Sequence, residues 1–224
     1  MTPQQLGDLI LRHPRLFHMA EEGTWASIQQ HGLLSTSSLL DLFQVAGEQR
    51  RKIESLHRLD SVRISHSVYG EAVIRDQKPM SDALLERCLQ DGLSPQDWYE
   101  TLNKKVFFWL TEERLQRLLA AKPYRNKTHC VLTVDTARLV EKYRDMIVLA
   151  PINTGCARPN PQPRGKDTFL AIDDYPFEEW DRKRRGRDPV VELAVEEGVP
   201  DIVDLVLRVE HRKGRSIVEV VHAP

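Results

Sequence analysis

Cysteine is scarce in this chain: Cys88, Cys130 and Cys156 are the only three in 224 residues, and none stands in a CxxC pair. So few and so scattered, they support no disulfide framework and point to a reducing compartment. Long apolar runs are lacking too. No stretch approaches the roughly 18 uninterrupted apolar residues of a membrane span. The N-terminal MTPQQLGDLILRHPRLFH has no basic segment ahead of a clean apolar run, so a signal peptide is not expected. The expected location is cytoplasmic, with no membrane partner. An excess of charge of either sign is also absent. Lysine and arginine number 32 against 33 acidic residues, for a net charge of −1. Binding to a polyanion would therefore need a local patch.

The common enzyme signatures are missing as well. No GxGxxG follows a strand, which argues against a Rossmann cofactor site. Gly165-Lys166 matches only the tail of a phosphate-binding loop, with Asp167 where a hydroxyl belongs. There is no HExxH and no GxSxG. The eight histidines show no ligand spacing with the cysteines, so no metal is expected.

What remains is the composition of a folded domain, 41% hydrophobic and 29% charged. Its length suits a single α+β domain over 1–224. Strands are predicted at Arg15–Met19, within Ser61–Arg75, and at Lys105–Leu110, His129–Val134, Met146–Leu149, Thr168–Ile172 and Val190–Val195. Further β-rich runs cover Asp201–Glu210 and Ser216–Val221. Helices are predicted from Thr24 to His31, over Ser35–Phe43, Glu48–Leu59 and Asp82–Gln90, after Ser94-Pro95, after Thr111, and over Thr136–Tyr143. Pro151–Lys166 holds four of the 13 prolines and reads as a long loop, a kind that is usually functional inside a compact domain.

Four features could carry chemistry: His18 at the end of a strand, the aromatic run Phe107-Phe108-Trp109, Arg75 after an apolar strand, and Glu192 within Val190–Val195. Each also has a plain structural reading: core histidine, core aromatics, solvated arginine, and a glutamate turned to water by strand alternation. Glu196 and Glu197 are near alternatives to Glu192, at a point where the strand should end.

Taken in order, these residues resemble a known superfamily. Leu16-Phe17-His18-Met19, a helix, then Gly32-Leu33-Leu34-Ser35 is similar to the opening of the ADP-ribosyltransferases. It is closest to the DNA-modifying toxin branch called DarT and to the small RNA 2′-phosphotransferases. Val190 to Val195, followed by Gly198-Val199-Pro200, is similar to that branch's catalytic-glutamate strand. The chain also resembles an uncharacterised family sharing Leu102 to Trp109, the Arg75-Asp76 corner and the Pro151–Gly155 loop.

The resemblance implies a split β-sandwich with helices packed around two small sheets, and NAD as co-substrate. It implies that His18 binds the adenosine ribose, with Gly32, Ser35 and Thr36 lining that side. Phe107, Phe108 or Trp109 would take the place of the usual tyrosine against nicotinamide. Glu192 would assist catalysis, Arg75 would hold the pyrophosphate or orient the acceptor, and Arg164 would be a second phosphate ligand. A mono-ADP-ribosyltransferase of nucleic acid is expected, in a toxin or defence role with an unidentified cognate antitoxin. An NAD glycohydrolase, a 2′-phosphotransferase-like enzyme and a non-catalytic nucleotide-binding module are the alternatives. His18, the Phe107–Trp109 strand and Glu192 should converge on one pocket.

Ahead of Glu192 lie Trp180, Arg182, Lys183, Arg184, Arg185 and Arg187. The run is either a solvated turn or a surface for a nucleic-acid acceptor, with Trp180 stacking on a base.

Overall fold

Most of the predicted strands form, and most of them join one sheet. A computed structural model describes residues 1–223. Its strands are β1 (Arg15–Glu21), β2 (Leu33–Leu34), β3 (Val62–His66), β4 (Gly70–Ile74), β5 (Lys105–Trp109), β6 (Thr128–Asp135), β7 (Ile147–Ala150), β8 (Leu170–Ala171), β9 (Glu192–Glu196), β10 (Gly198–Val199), β11 (Val206–Lys213) and β12 (Ser216–His222). Eight of them form one antiparallel sheet in the order β12-β11-β6-β1-β5-β9-β7-β8. β2 pairs with β10, and β3 with β4, as separate two-stranded ribbons. The architecture is mixed α and β, with one large sheet where two small ones were expected.

That sheet is nevertheless weakly joined at its middle. β1 pairs with β6 along its whole length, and β5 with β9 likewise. Between β1 and β5 the register holds only at Phe17 and Trp109. The sheet is thus two four-stranded halves that part on one side of that pair.

Alternation along the strands explains the packing. Leu16, Phe108, Leu132, Leu149, Leu193 and Val195 face one continuous core. The opposite face is covered in two pieces. Phe17, Met19 and Val131 pack with Leu115 and Leu119 of the Glu112–Leu119 helix. Phe107 packs with Trp98, Tyr99 and Leu102 of the Pro95–Asn103 helix, and with Ala157 of the Pro-rich loop.

The departures from expectation have local causes. Pro3–Arg12 is a helix with a full capping box between Thr2 and Gln5, in a segment read only as a non-leader. The helix expected at Asp82–Gln90 ends at Leu85, and Leu89 instead bridges to Arg164. The one expected at Glu48–Leu59 runs only from Gly47 to Glu54. Asp201–Glu210 begins as a short helix, Ile202–Leu205, before β11, despite its β-branched content. The basic run closes a helix, Phe177–Arg184, whose first turn holds Glu178 and Glu179 and whose last holds Arg182, Lys183 and Arg184. Those charges suit the helix dipole.

Gly32 shows how closely the β2–β10 ribbon is built. Its φ is +84°, and a Cβ there would stand 2.5 Å from the Pro200 Cα. Gly32→Ala is therefore expected to lose at least about 2 kcal/mol, from the positive φ and the backbone clash together. Urea unfolding checks this.

Candidate functional site

The site begins where β1 leaves β5. Past the Phe17–Trp109 pair, the Phe107 carbonyl has lost the strand that would have donated to it, and a buried carbonyl needs a donor. The His18 ring supplies it, with Nδ1 2.9 Å from the Phe107 oxygen. A carbonyl can only accept, so Nδ1 carries the proton and Nε2 is left as an acceptor. Nε2 has no partner among the described residues. Burial pushes the His18 pKa down to about 4, against the Phe107 bond, which raises it; the Arg75 charge lowers it further. The ring is neutral at physiological pH. It tilts against Phe108, with centroids 5.8 Å apart.

Because the Phe107 carbonyl faces β1, Phe107 and Trp109 both turn their backbone polar groups away from β9. Trp109 stands in register with Glu192. This is then a non-hydrogen-bonded pair, the kind whose side chains approach closest.

Glu192 does not point to water as alternation suggested. β9 is an interior strand with both faces covered, and the residue is only 7% exposed. Its Oε2 accepts from the Thr154 backbone N–H at 3.0 Å and the Thr154 hydroxyl at 2.5 Å. Oε1 accepts nothing among the described residues. Burial raises the carboxyl pKa, while the two Thr154 bonds and the charges of Arg114 and Arg164 oppose that rise.

Arg164, expected as a second phosphate ligand, is turned inward instead. It is 1% exposed. Its guanidinium donates to the carbonyls of Gln162 at 3.0 Å, Thr154 at 2.9 Å and Cys156 at 3.2 Å, beside the Trp98 ring. It organises the Pro-rich loop from within.

Arg75 keeps part of its guanidinium free. Nη1 donates to the Met19 carbonyl, one residue past His18, at 3.1 Å, and Nε stands 3.8 Å from Glu21 Oε1. The group lies over the Tyr124 ring, and its Nη2 has no protein partner among the described residues.

Other expected ligands have structural work. Ser35 is 2% exposed, and its hydroxyl caps the Thr36–Leu42 helix through the Ser38 N–H. The open side of Gly32 is filled by Pro200. Thr36, the first residue of that helix, stays partly exposed. Phe108 is 1% exposed and belongs to the core, which leaves Phe107 and Trp109 as the accessible aromatics. Glu196 pairs with Lys105 at 3.0 Å, and the Glu197 carbonyl receives the N–H of Ser35.

In the basic run, Arg184 is half-buried and donates to the Pro151 carbonyl at 2.7 Å, so it is not a free surface charge. Trp180 is half-buried against the main core beneath Lys183. Arg182, Lys183, Arg185 and Arg187 are exposed.

His18 and Phe107 are in direct contact, Arg75 is beside them, and Glu192 joins them only through β5. By alternation His18 lies with the Phe108 face and Glu192 with the Trp109 face, so a molecule meeting both would have to enter the fork between β1 and β5. Two surface grooves, one bounded by Arg138, Lys142 and Asp204 and one by Glu21, Ser61 and Lys127, contain neither residue. Neither groove is the shared pocket expected from the sequence. No group of three or more His, Cys, Asp or Glu side chains is placed to hold a metal among the described residues.

Sequence reasoning noted the Pro151–Gly155 loop but gave Thr154 no role, and it missed Arg114. The Arg114 guanidinium donates to the carbonyls of Val190 and Val191, just before Glu192, and to Asp188 at 3.4 Å. His13 holds the other Asp188 oxygen at 3.3 Å.

No curated protein matches the chain. One family model does, over residues 14–206, a span that includes His18, Arg75, Thr154, Arg164 and Glu192 and stops at the first residue of β11. On that match the chain belongs to DUF7002, a family of unknown function.

Proposed function

We propose that the chain is an NAD-dependent mono-ADP-ribosyltransferase that modifies nucleic acid. The observation that carries this reading is the fork in the sheet. A neutral histidine with a free acceptor nitrogen lines it, and a carboxylate with one unengaged oxygen stands one strand away. The sequence resemblance supports the same assignment.

Under this reading, NAD lies bent through the fork. His18 Nε2 accepts a ribose hydroxyl on the adenosine side, and the free edge of Arg75 meets the pyrophosphate. Trp109, opposite Glu192, is the aromatic that receives nicotinamide. Glu192 Oε1 accepts a hydroxyl of the nicotinamide ribose and stabilises the positive charge that develops there. Nicotinamide departs with the electron pair of its glycosidic bond. The acceptor nucleophile then bonds to the ribose carbon and loses its proton to solvent.

The exposed Arg182, Lys183, Arg185 and Arg187 stand just ahead of the Glu192 strand, which suits an anionic acceptor. Binding to single-stranded DNA should weaken with salt. Arg185→Glu and Arg187→Glu should each lower the log–log salt slope by about 0.7. Fluorescence anisotropy measures it, and salt-independent binding would remove nucleic acid as the acceptor.

A second reading, a nucleotide-binding module without turnover, is favoured by the enclosure of Glu192 and by Trp109 in place of a tyrosine. A 2′-phosphotransferase is less well supported, because Arg164 is unavailable to phosphate. NAD titration beside nicotinamide release separates these: binding without release leaves the module, and no binding removes both.

A further inference from the structure

We infer that Thr154 is the positioning residue for Glu192, fixing one carboxylate oxygen with two donors and leaving the other for a ligand. What the second oxygen meets rests on the reading above; the fixing of the first does not.

Thr154 is fully buried within a loop that has neither helix nor strand around it. Its place is nonetheless determined from three sides. Arg164 Nη1 and Trp98 Nε1 both donate to its carbonyl, at 2.9 and 3.4 Å, and Arg184 holds the Pro151 carbonyl three residues earlier. Its N–H and hydroxyl then converge on Glu192 Oε2. No other described group donates to that carboxylate. The charged groups facing it, Arg114 from the Glu112–Leu119 helix and Arg164 from the loop, act through space without a hydrogen bond.

The arrangement has a chemical consequence. Donors aimed at a carboxylate oxygen favour its ionised form, and they oppose the burial that favours the acid. Two bonds to one oxygen also restrict the side chain to one rotamer, so Oε1 is presented in a single direction. Serine would preserve both donors. Valine would keep the shape and the N–H but lose the hydroxyl.

The test is a carboxyl titration by NMR on protein labelled with ¹³C at glutamate, with the Glu192 resonance identified by its loss in Glu192→Gln. In Thr154→Val the midpoint should move to higher pH, and in Thr154→Ser it should stay near that of the native protein. An unchanged midpoint in folded Thr154→Val would overturn the inference. A second measurement needs no variant. The Thr154 amide proton should titrate with the same midpoint as the Glu192 carboxyl, and an amide indifferent to that ionisation would overturn it equally. Neither readout requires turnover. If no nicotinamide is released in any mixture while the two resonances titrate together, the transferase reading fails and the role of Thr154 stands.

Discussion

Arg164→Ala is expected to lower the unfolding free energy by about 3 kcal/mol or more. The native guanidinium satisfies the carbonyls of Gln162, Thr154 and Cys156 in a site that is 1% exposed. Each carbonyl left buried without a donor costs about 1–3 kcal/mol, and the cavity adds to that. Arg164→Lys should recover little, because a point ammonium cannot reproduce the three-way fork. Chemical denaturation gives the magnitude. A variant with native stability that had lost only ligand affinity would restore the phosphate-binding role expected from the sequence.

Glu192→Gln is expected to stabilise the protein near neutral pH by about 1 kcal/mol, a rise in Tm of roughly 2–4 °C, of the kind seen when a functional group is held against its own preference. The sign follows from the raised carboxyl pKa. A carboxyl that binds its proton more tightly when folded contributes stability below its unfolded pKa. That contribution is lost as pH rises through the folded pKa. Glutamine resembles the acid form, can accept both Thr154 donors, and does not suffer the loss. The two stabilities should therefore converge in acid, below the ordinary glutamate value of 4.5. Thermal melts from pH 4 to 8 read this directly. A native protein more stable than the variant at neutral pH would mean that the charge is well accommodated by Arg114 and Arg164.

Much of the fold was legible because it is locally encoded. Ser94, Pro95 and Asp97 announce a capped helix, and the cap forms with both reciprocal bonds. Thr111 caps the Glu112–Leu119 helix as read, and Thr136–Tyr143 is helical over the expected range. Lys105–Trp109 could be only a buried strand. What could not be read depends on contacts distant in sequence. Glu192 was turned to water by an alternation rule that holds for half-covered strands, whereas β9 is interior and covered on both faces. Arg164 was expected on a phosphate and Arg184 on a charged surface, yet both hold loop carbonyls. The departure of β1 from β5 leaves no mark in either strand, although it decides what His18 does. Thr154 lies in the noted Pro151–Gly155 loop, yet its role shows only in the fold, because its partner is 38 positions away.

If the fork binds and cleaves NAD as proposed, the purified protein should release nicotinamide from it. That release should be measured with and without single-stranded DNA and RNA, beside Glu192→Gln. Release should depend on nucleic acid, increase as Glu192 ionises, and disappear in the glutamine variant. Release that persists in Glu192→Gln, or a native protein that binds no NAD, would overturn the transferase reading.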